Sequence, residues 1–275
     1  MWRGRVAGVG LASFLLAGVA VAQPAEPVES YPSAYADRPL LLPNGAVEGS
    51  AALRIDTVKD GDNRSYFGSG SPSVRVGLGM AEIEAGASIY LFQHVHNSDS
   101  GGFSSIDPDR LQNLYAIGRF TVAPETAVAL QFIATTPADD DYKSFVPGAF
   151  IEHKERFGHV SSLRLTGGLN YVRPVYGDDT IPVNASLDFY AKVRAAVQIA
   201  PMLALEAATE LHYVKITGDM PVYDSYTSSL YSVGIVGTVA PDFDLVAAFE
   251  SNANALGGQT DGKAFIVGIV GRRIP

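Results

Sequence analysis

Asn184–Tyr213, which reads NASLDFYAKVRAAVQIAPMLALEAATELHY, decides the fold of this chain. Over residues 187–199 every odd-numbered residue is apolar, and most of the residues between them are polar or charged. This period of two belongs to a β-strand with one apolar face and one polar face. Pro201 then interrupts the pattern, because proline has no amide hydrogen for a ladder and suits a turn. The alternation resumes over residues 203–213, so the stretch predicts a long hairpin with a tight turn.

The length of the two arms indicates the environment that each face meets. A strand in a soluble sandwich usually spans about five or six residues, whereas about 9–11 residues cross the hydrocarbon of a membrane at a tilt. Strands longer than the soluble kind, repeated along the chain, favour a membrane barrel whose apolar face meets lipid and whose polar face lines a lumen. A large periplasmic β-protein is the alternative that the pattern leaves open.

Similar alternation recurs on both sides of this hairpin. The other predicted strands are Ala46–Asp56, Ser73–Gly79, Glu82–Leu91, Leu114–Val122, Thr126–Thr135, Phe145–His153, Ser161–Tyr171, Tyr231–Val239, Phe243–Glu250 and Lys263–Gly271. With the hairpin they give about twelve strands. The orientation of the strand that contains Pro147 stays open, because both of its faces are apolar.

Loop length alternates along the predicted strands. The longest predicted loops are residues 57–72 and 93–110, both polar. The short turns lie near Met80, Pro124, Phe157, Pro201 and Pro241. Short turns at one end and longer loops at the other are typical of a transmembrane barrel with periplasmic turns and outer loops. The sequence therefore predicts an all-β fold, a single antiparallel transmembrane barrel.

The N-terminus predicts export. Arg3 and Arg5 precede apolar residues 7–19, and Ala20-Val21-Ala22 is a small-residue cleavage site, so residues 1–22 are a predicted signal peptide. Residues 23–45 form a predicted N-terminal linker or loosely docked segment, since their first part is rich in proline, alanine and glutamate. Residues 46–275 form the predicted barrel. No apolar run long enough for a transmembrane helix follows the signal peptide.

Composition excludes several classes of function. The chain has no cysteine, which excludes a disulfide framework, a thiolate metal site and a cysteine nucleophile. Its net charge of −9 gives no reason to expect nucleic-acid binding.

Three turns share a pattern: Val122-Ala123-Pro124, Ile199-Ala200-Pro201 and Val239-Ala240-Pro241. Together with the signal peptide and the amphipathic strands, they make residues 46–274 resemble the bacterial outer-membrane β-barrels, loosely the porin-like and transporter-like members. The resemblance implies a location in the outer membrane of a Gram-negative bacterium after signal-peptide export. It also implies outer-membrane lipid and small polar solutes as partners; the sequence leaves the oligomeric state open.

The polar face of the predicted strands carries charges of both signs. The predicted lumen-lining residues are Glu48, Arg54, Arg75, Glu82, Glu84, Arg119, Arg164, Asp188, Lys192, Arg194, Glu206, Glu210 and Glu250. Such charges either create a field across a water-filled pore or pair off as filler in a closed barrel. About eight strands give a filled interior and about sixteen or more an open channel. A twelve-strand barrel lies between, which leaves two hypotheses: a narrow channel for small polar solutes, or a non-conducting structural or surface-interaction barrel.

The sequence gives weaker signals for catalysis and metal binding than for a barrel lumen. His94 and His96 share one face of an extended segment and could bind a metal, with a solvated loop pair as the alternative. An embedded lipid hydrolase, the third hypothesis, needs a serine and a histidine at the lipid-facing rim. The chain has no Gly-x-Ser-x-Gly, and His212 lies on the predicted lumen face. We therefore expect no enzyme activity, no cofactor and no metal.

Overall fold

The computed structural model of the chain describes residues 31–60, 63–97, 102–106, 111–135, 142–176, 184–217, 225–254 and 261–275. One 3₁₀ turn, Tyr35–Asp37, precedes the strands. The strands are β1 Val47–Asp60, β2 Asn63–Gly77, β3 Ala81–Asn97, β4 Gly102–Ile106, β5 Leu111–Ala123, β6 Thr126–Thr135, β7 Tyr142–Phe157, β8 Ser161–Tyr176, β9 Ala185–Ala200, β10 Leu203–Thr217, β11 Tyr226–Ala240, β12 Phe243–Asn254 and β13 Asp261–Arg273. Nowhere in these ranges is there a helix with the length and apolarity to cross a membrane.

The strands close into a barrel. Each strand except β4 pairs antiparallel with its neighbours along the chain, and β1 pairs with β13 from Val47 opposite Arg273 to Lys59 opposite Asp261. β4 lies outside this circuit: it pairs with the last residues of β3, where β3 extends beyond β5. Within the described ranges the wall has twelve strands, so the predicted fold class and strand number are confirmed.

The two faces of the wall differ as the alternation predicts. Apolar side chains on the outer face are exposed, for example Phe132 at 46%, Val193 at 39% and Leu211 at 53%. Charged side chains turn inward and are buried, for example Glu82 at 0% and Arg119 at 7%. An apolar exterior is the arrangement that a lipid environment stabilises.

Two predicted loops are wrong. β1 extends to Asp60 and β2 begins at Asn63, so the predicted loop 57–72 is mostly a hairpin. β3 extends to Asn97, and β4 occupies part of the predicted loop 93–110. Backbone hydrogen bonds continue these ladders through Ser- and Gly-rich sequence that has no hydropathy contrast, which is why a hydropathy pattern misses them.

The structure orients β7, which the sequence left open. Ser144, Phe150 and Glu152 are buried inward, while Phe145 and Ile151 are exposed on the outer face. The pairing of β7 with β8 omits residues 146 and 147, since proline cannot donate to the ladder there.

The predicted linker, residues 23–45, is described from residue 31, and from there it is not a loose linker. Residues 31–46, which we name the plug segment, pack at the barrel end that carries the short turns. Leu40 and Leu42 are buried, at 6% and 3% exposure, and Arg38 at 4%. The proline-rich composition predicts a linker because it has no periodicity, but buried contacts with the wall fix this segment instead.

Candidate functional site

The barrel interior gathers the predicted lumen-lining residues. Eleven of them line three internal cavities: Glu48, Arg54, Arg75, Glu84, Arg119, Arg164, Lys192, Arg194, Glu206, Glu210 and Glu250. The other two are also internal, because Glu82 accepts hydrogen bonds from Arg75 and Arg119, and Asp188 lies 2.9 Å from His212.

The hairpin of β9 and β10 has the register that its parity demands. Outward residues are odd-numbered on both strands, so directly paired residues must sum to an even number. A bulge between Leu203 and Ala204 brings the ladder into this register after the turn pair Leu203–Ala200. Lys192 is paired with Glu210, and its Nζ lies 2.8 Å from Glu210 Oε2. Arg194 Nε lies diagonally, 3.6 Å from Glu206 Oε1. A part-buried cross-strand pair of this kind contributes roughly 0.2–1 kcal/mol, so it specifies register more than stability.

A continuous network of ion pairs runs around most of the inner wall. Contacts of 2.5–2.9 Å join neighbouring members of the series Arg38, Asp244, Arg272, Glu48, Arg75, Glu82 and Arg119. Arg119 also contacts Glu84 at 2.7 Å and Glu152 at 3.4 Å, and Glu152 contacts Arg164 at 2.6 Å. Arginines and carboxylates are equal in number in this network. Buried charges are tolerated because each has a partner of opposite sign.

β6 makes room for this network. Ala127 and Ala129 face inward with no exposed surface. Their small side chains let Arg119 on β5 reach over β6 to within 3.4 Å of Glu152 on β7. The network therefore spans strands that do not pair with each other.

His212 lies between two carboxylates. Its Nδ1 is 2.9 Å from Asp188 Oδ1 and its Nε2 is 2.9 Å from Glu210 Oε1. The Tyr190 ring stacks on it with centroids 5.7 Å apart. Tyr190 is paired with Gly168, where a Cβ would lie 2.6 Å from the tyrosine ring. Both ring nitrogens of His212 are thus occupied by carboxylates, which gives a serine no base and does not support the hydrolase hypothesis.

Two adjoining cavities occupy the interior. The central cavity has a volume of about 540 Å³ and is lined mainly by polar side chains. The lower chamber, about 380 Å³, lies toward the short-turn end. Both are lined by Glu48, Arg75, Arg164, Arg194 and Val270, so they share a wall of the same strands.

Arg38 fixes the plug segment to the wall. Its guanidinium donates to both carboxylate oxygens of Asp244, at 2.5 and 3.0 Å, and to Thr238 Oγ1 at 3.2 Å. Asp244 accepts a further bond from Arg272 at 2.5 Å. The side chains of Arg38, Asp244 and Arg272 are 5%, 1% and 4% exposed. Loss of one partner from this buried triad would leave a charge without compensation.

The plug segment crosses the mouth of the barrel. Tyr35 Oη donates to Glu206 on β10 at 2.6 Å, and the Leu42 amide donates to Glu82 on β3 at 2.9 Å. In the strand order these two strands lie on opposite sides of the wall. Burial and the Glu206 carboxylate raise the pKa of the Tyr35 phenol, so it stays a donor.

The short turns hold the other side of the plug segment. Asp37 Oδ2 lies 2.8 Å from His159 Nδ1, and Asp37 Oδ1 forms an ion pair with Arg156 Nη1 at 3.6 Å. Glu125, in the turn between β5 and β6, accepts from the Leu40 amide at 3.0 Å and from Arg156 at 2.7 Å. Its φ of 50° is unusual for a residue with a side chain. These contacts join the segment to the end of the barrel on both sides.

Several interior residues are absent from the predicted lumen-lining set. Glu152 was missed because β7 could not be oriented, and Arg38 because its segment has no periodicity. Asp244 and Arg272 lie at strand ends next to the short turns, where a charge usually indicates solvent. An inward position in the alternation was the available signal for Asp244, since Glu250 on the same strand has the same parity.

The metal hypothesis for His94 and His96 falls partly outside the described residues, because the His96 side chain is not among them. His94 is described and exposed at the end of β3. Among the described side chains no group of three or more histidine and acidic residues is arranged to hold a metal ion.

Comparisons with known proteins identify the fold. No protein-family model matches the chain, and no curated protein matches it significantly. A solved structure, the COG4313 outer membrane channel from Pseudomonas putida F1, matches with 12% identity, a TM-score of 0.62, and coverage of 90% of this chain and 100% of that chain. The translocator domain of autotransporter NalP from Neisseria meningitidis matches with 12% identity and a TM-score of 0.50, covering 83% and 88%. The chain thus has the fold of bacterial outer-membrane β-barrels.

Proposed function

We propose that this barrel is a narrow channel for small polar solutes across the outer membrane. The observation that carries the proposal is the central cavity, a space of about 540 Å³ lined by polar and charged side chains from β1 to β10. An interior that served only as packing would be filled by side chains, as in smaller barrels. The polar lining also gives solutes hydrogen-bonding partners in place of water.

The plug segment and the ion-pair network set the size of the proposed path. The segment lies across the short-turn end, which is the periplasmic end in barrels of this kind. The network takes up space along the wall of the cavity. Solutes that pass must therefore be small.

Planar-bilayer recording tests the proposal. Purified full-length protein is expected to give discrete current steps in potassium chloride, with a small unit conductance. Small uncharged polymers that enter the pore should reduce the conductance. Polymers above a small size limit should be excluded and should leave the conductance unchanged. A silent bilayer, with folded protein demonstrably inserted, would overturn the channel function.

One observation favours a second candidate, a non-conducting structural barrel. Arginines and carboxylates of the inner wall pair off with each other, and the plug segment covers one mouth. Side chains whose charges pair off can fill a closed barrel, just as they can line an open one. The same recording separates the two, since only the channel passes current.

We also propose export by cleavage of a signal peptide after Ala22, followed by insertion in the outer membrane. The support is the basic start, the apolar core and the small-residue site of residues 1–22, which lie outside the described residues. N-terminal sequencing of protein extracted from membranes is expected to begin at Gln23. A mature chain that retains Trp2 would contradict the cleavage.

A further inference from the structure

Three basic side chains form a row across neighbouring strands. Lys154 on β7 is paired with Arg164 on β8, and Arg164 is paired with Arg194 on β9. All three line the lower chamber. Like charges directly opposite each other in a sheet are destabilising. The row therefore costs stability unless acidic groups or a ligand compensate it.

The protein compensates the row incompletely. Arg164 has a close partner, since its Nη2 lies 2.6 Å from Glu152 Oε1. Arg194 Nε is buried and donates no hydrogen bond to the described residues. Its nearest carboxylate oxygen, Glu206 Oε1, lies 3.6 Å away, beyond hydrogen-bond distance, while Tyr35 donates to the other oxygen, Oε2, at 2.6 Å.

Lys154 completes the row with a neutral partner. Its Nζ donates at 2.6 Å to the backbone carbonyl of Arg38. A carbonyl oxygen carries no formal charge, so this bond satisfies a donor and leaves the positive charge of the row in place. The row thus presents an excess of positive charge to the chamber.

The rest of the chamber complements this row. Six arginine and lysine side chains line it, against four carboxylates, and two carboxylates that do not line it, Glu82 and Glu152, pair with lining arginines. The wall formed by β12 and β13, across the barrel from β7 and β8, contributes apolar side chains, among them Val246, Ile266 and Val270. Tyr31 and Tyr35 of the plug segment form the floor. The chamber therefore combines a basic wall, an apolar wall and aromatic rings within about 380 Å³.

We propose that the lower chamber binds a small organic anion that has an apolar body and one carboxylate. The carboxylate accepts hydrogen bonds from Arg194 and Lys154, and the body packs against Val270 and its neighbours. Small inorganic anions fit less well, because they would face an apolar wall that cannot replace their water. The proposal rests on the proposed channel function, since the anion is one of the solutes that would pass.

Calorimetric titration of the full-length protein in detergent micelles tests this binding, with benzoate as the probe. Benzoate is expected to bind saturably. Acetate, which has the charge without the ring, should bind at least about tenfold more weakly than benzoate, because it buries little apolar surface. Benzamide, which has the ring without the charge, should show no saturable binding to the protein. Any heat that it gives measures partitioning of the aromatic ring into the detergent micelle.

Variants locate the site. Arg194→Gln is expected to weaken benzoate binding about tenfold, because a hydrogen bond to a charged group is lost. Lys154→Gln should shift binding in the same direction and serves if the first variant folds poorly. Val270→Thr should weaken benzoate and leave acetate unchanged. The matched control is Arg173→Gln, which removes the same charge from an exposed position further along β8.

The outcomes separate the chamber from the channel. Saturable benzoate binding that Arg194→Gln weakens supports the chamber even when the bilayer passes no current, a result that overturns only the channel function. Current without benzoate binding overturns the chamber and leaves the channel. Binding that is equal in Arg194→Gln, Lys154→Gln and the unaltered protein also overturns the chamber.

Discussion

Deletion of residues 31–42 is expected to raise the single-channel conductance several-fold. The deletion removes the part of the plug segment that crosses the mouth between β10 and β3, with its bonds to Glu206 and Glu82. It leaves every strand of the described wall intact. Conduction through a pore is governed by its narrowest part, and the plug segment crosses the path at the short-turn end. Planar-bilayer recording of the deletion variant beside the full chain measures the change.

Point variants grade this effect. Arg38→Ala removes the attachment to Asp244 but keeps the segment, and Asp244 still has Arg272 at 2.5 Å. It is expected to give brief openings to the higher conductance instead of a permanent one. Arg273→Ala, an exposed arginine at the same end of β13, is the control and should conduct as the unaltered protein does. If the deletion leaves the conductance unchanged, the ion-pair network and not the plug segment limits the path.

The barrel wall could be predicted because its physics is local and repetitive. Every strand must turn apolar side chains outward and polar ones inward, so parity orients Lys192 and Glu210, and the position of the Pro201 turn then selects their register. The same alternation assigns the inward side of Arg75 and Arg119. Strand ends were less predictable, because β1 and β2 continue as a hydrogen-bonded hairpin through serine and glycine, which carry no hydropathy signal.

The plug segment could not be predicted because its contacts are distant in sequence and follow no period. Arg38 meets Asp244 across 206 positions, and Tyr35 meets Glu206 across 171. Nothing in the sequence near Arg38 distinguishes it from a solvated arginine in a linker. The sequence predicts only part of the basic row of the lower chamber. Alternation places Arg164 and Arg194 on the lumen face, but their direct pairing depends on the register of β8 with β9, which the sequence does not predict.

The buried triad predicts the largest change in stability. Asp244→Ala leaves Arg38 and Arg272 facing each other, with side-chain exposures of 5% and 4%. Removal of one partner from a buried ion pair typically costs roughly 3–5 kcal/mol, because the remaining charge is uncompensated. We expect a loss of that order in the free energy of unfolding. Urea unfolding of the barrel in lipid vesicles, followed by tyrosine fluorescence, measures it.

Two further variants isolate the cause of that loss. Asp242→Ala removes an exposed acid from the adjacent turn and should change the free energy of unfolding by less than about 0.5 kcal/mol. The double variant Arg38→Ala with Asp244→Ala should be more stable than Asp244→Ala alone, because it no longer buries the unpaired Arg38 charge. Arg272 keeps Glu48 as a partner at 2.6 Å, so it needs no such rescue. If Asp244→Ala unfolds like Asp242→Ala, the triad does not hold the plug segment, and the segment is bound by its contacts with Glu82, Glu206 and the short turns.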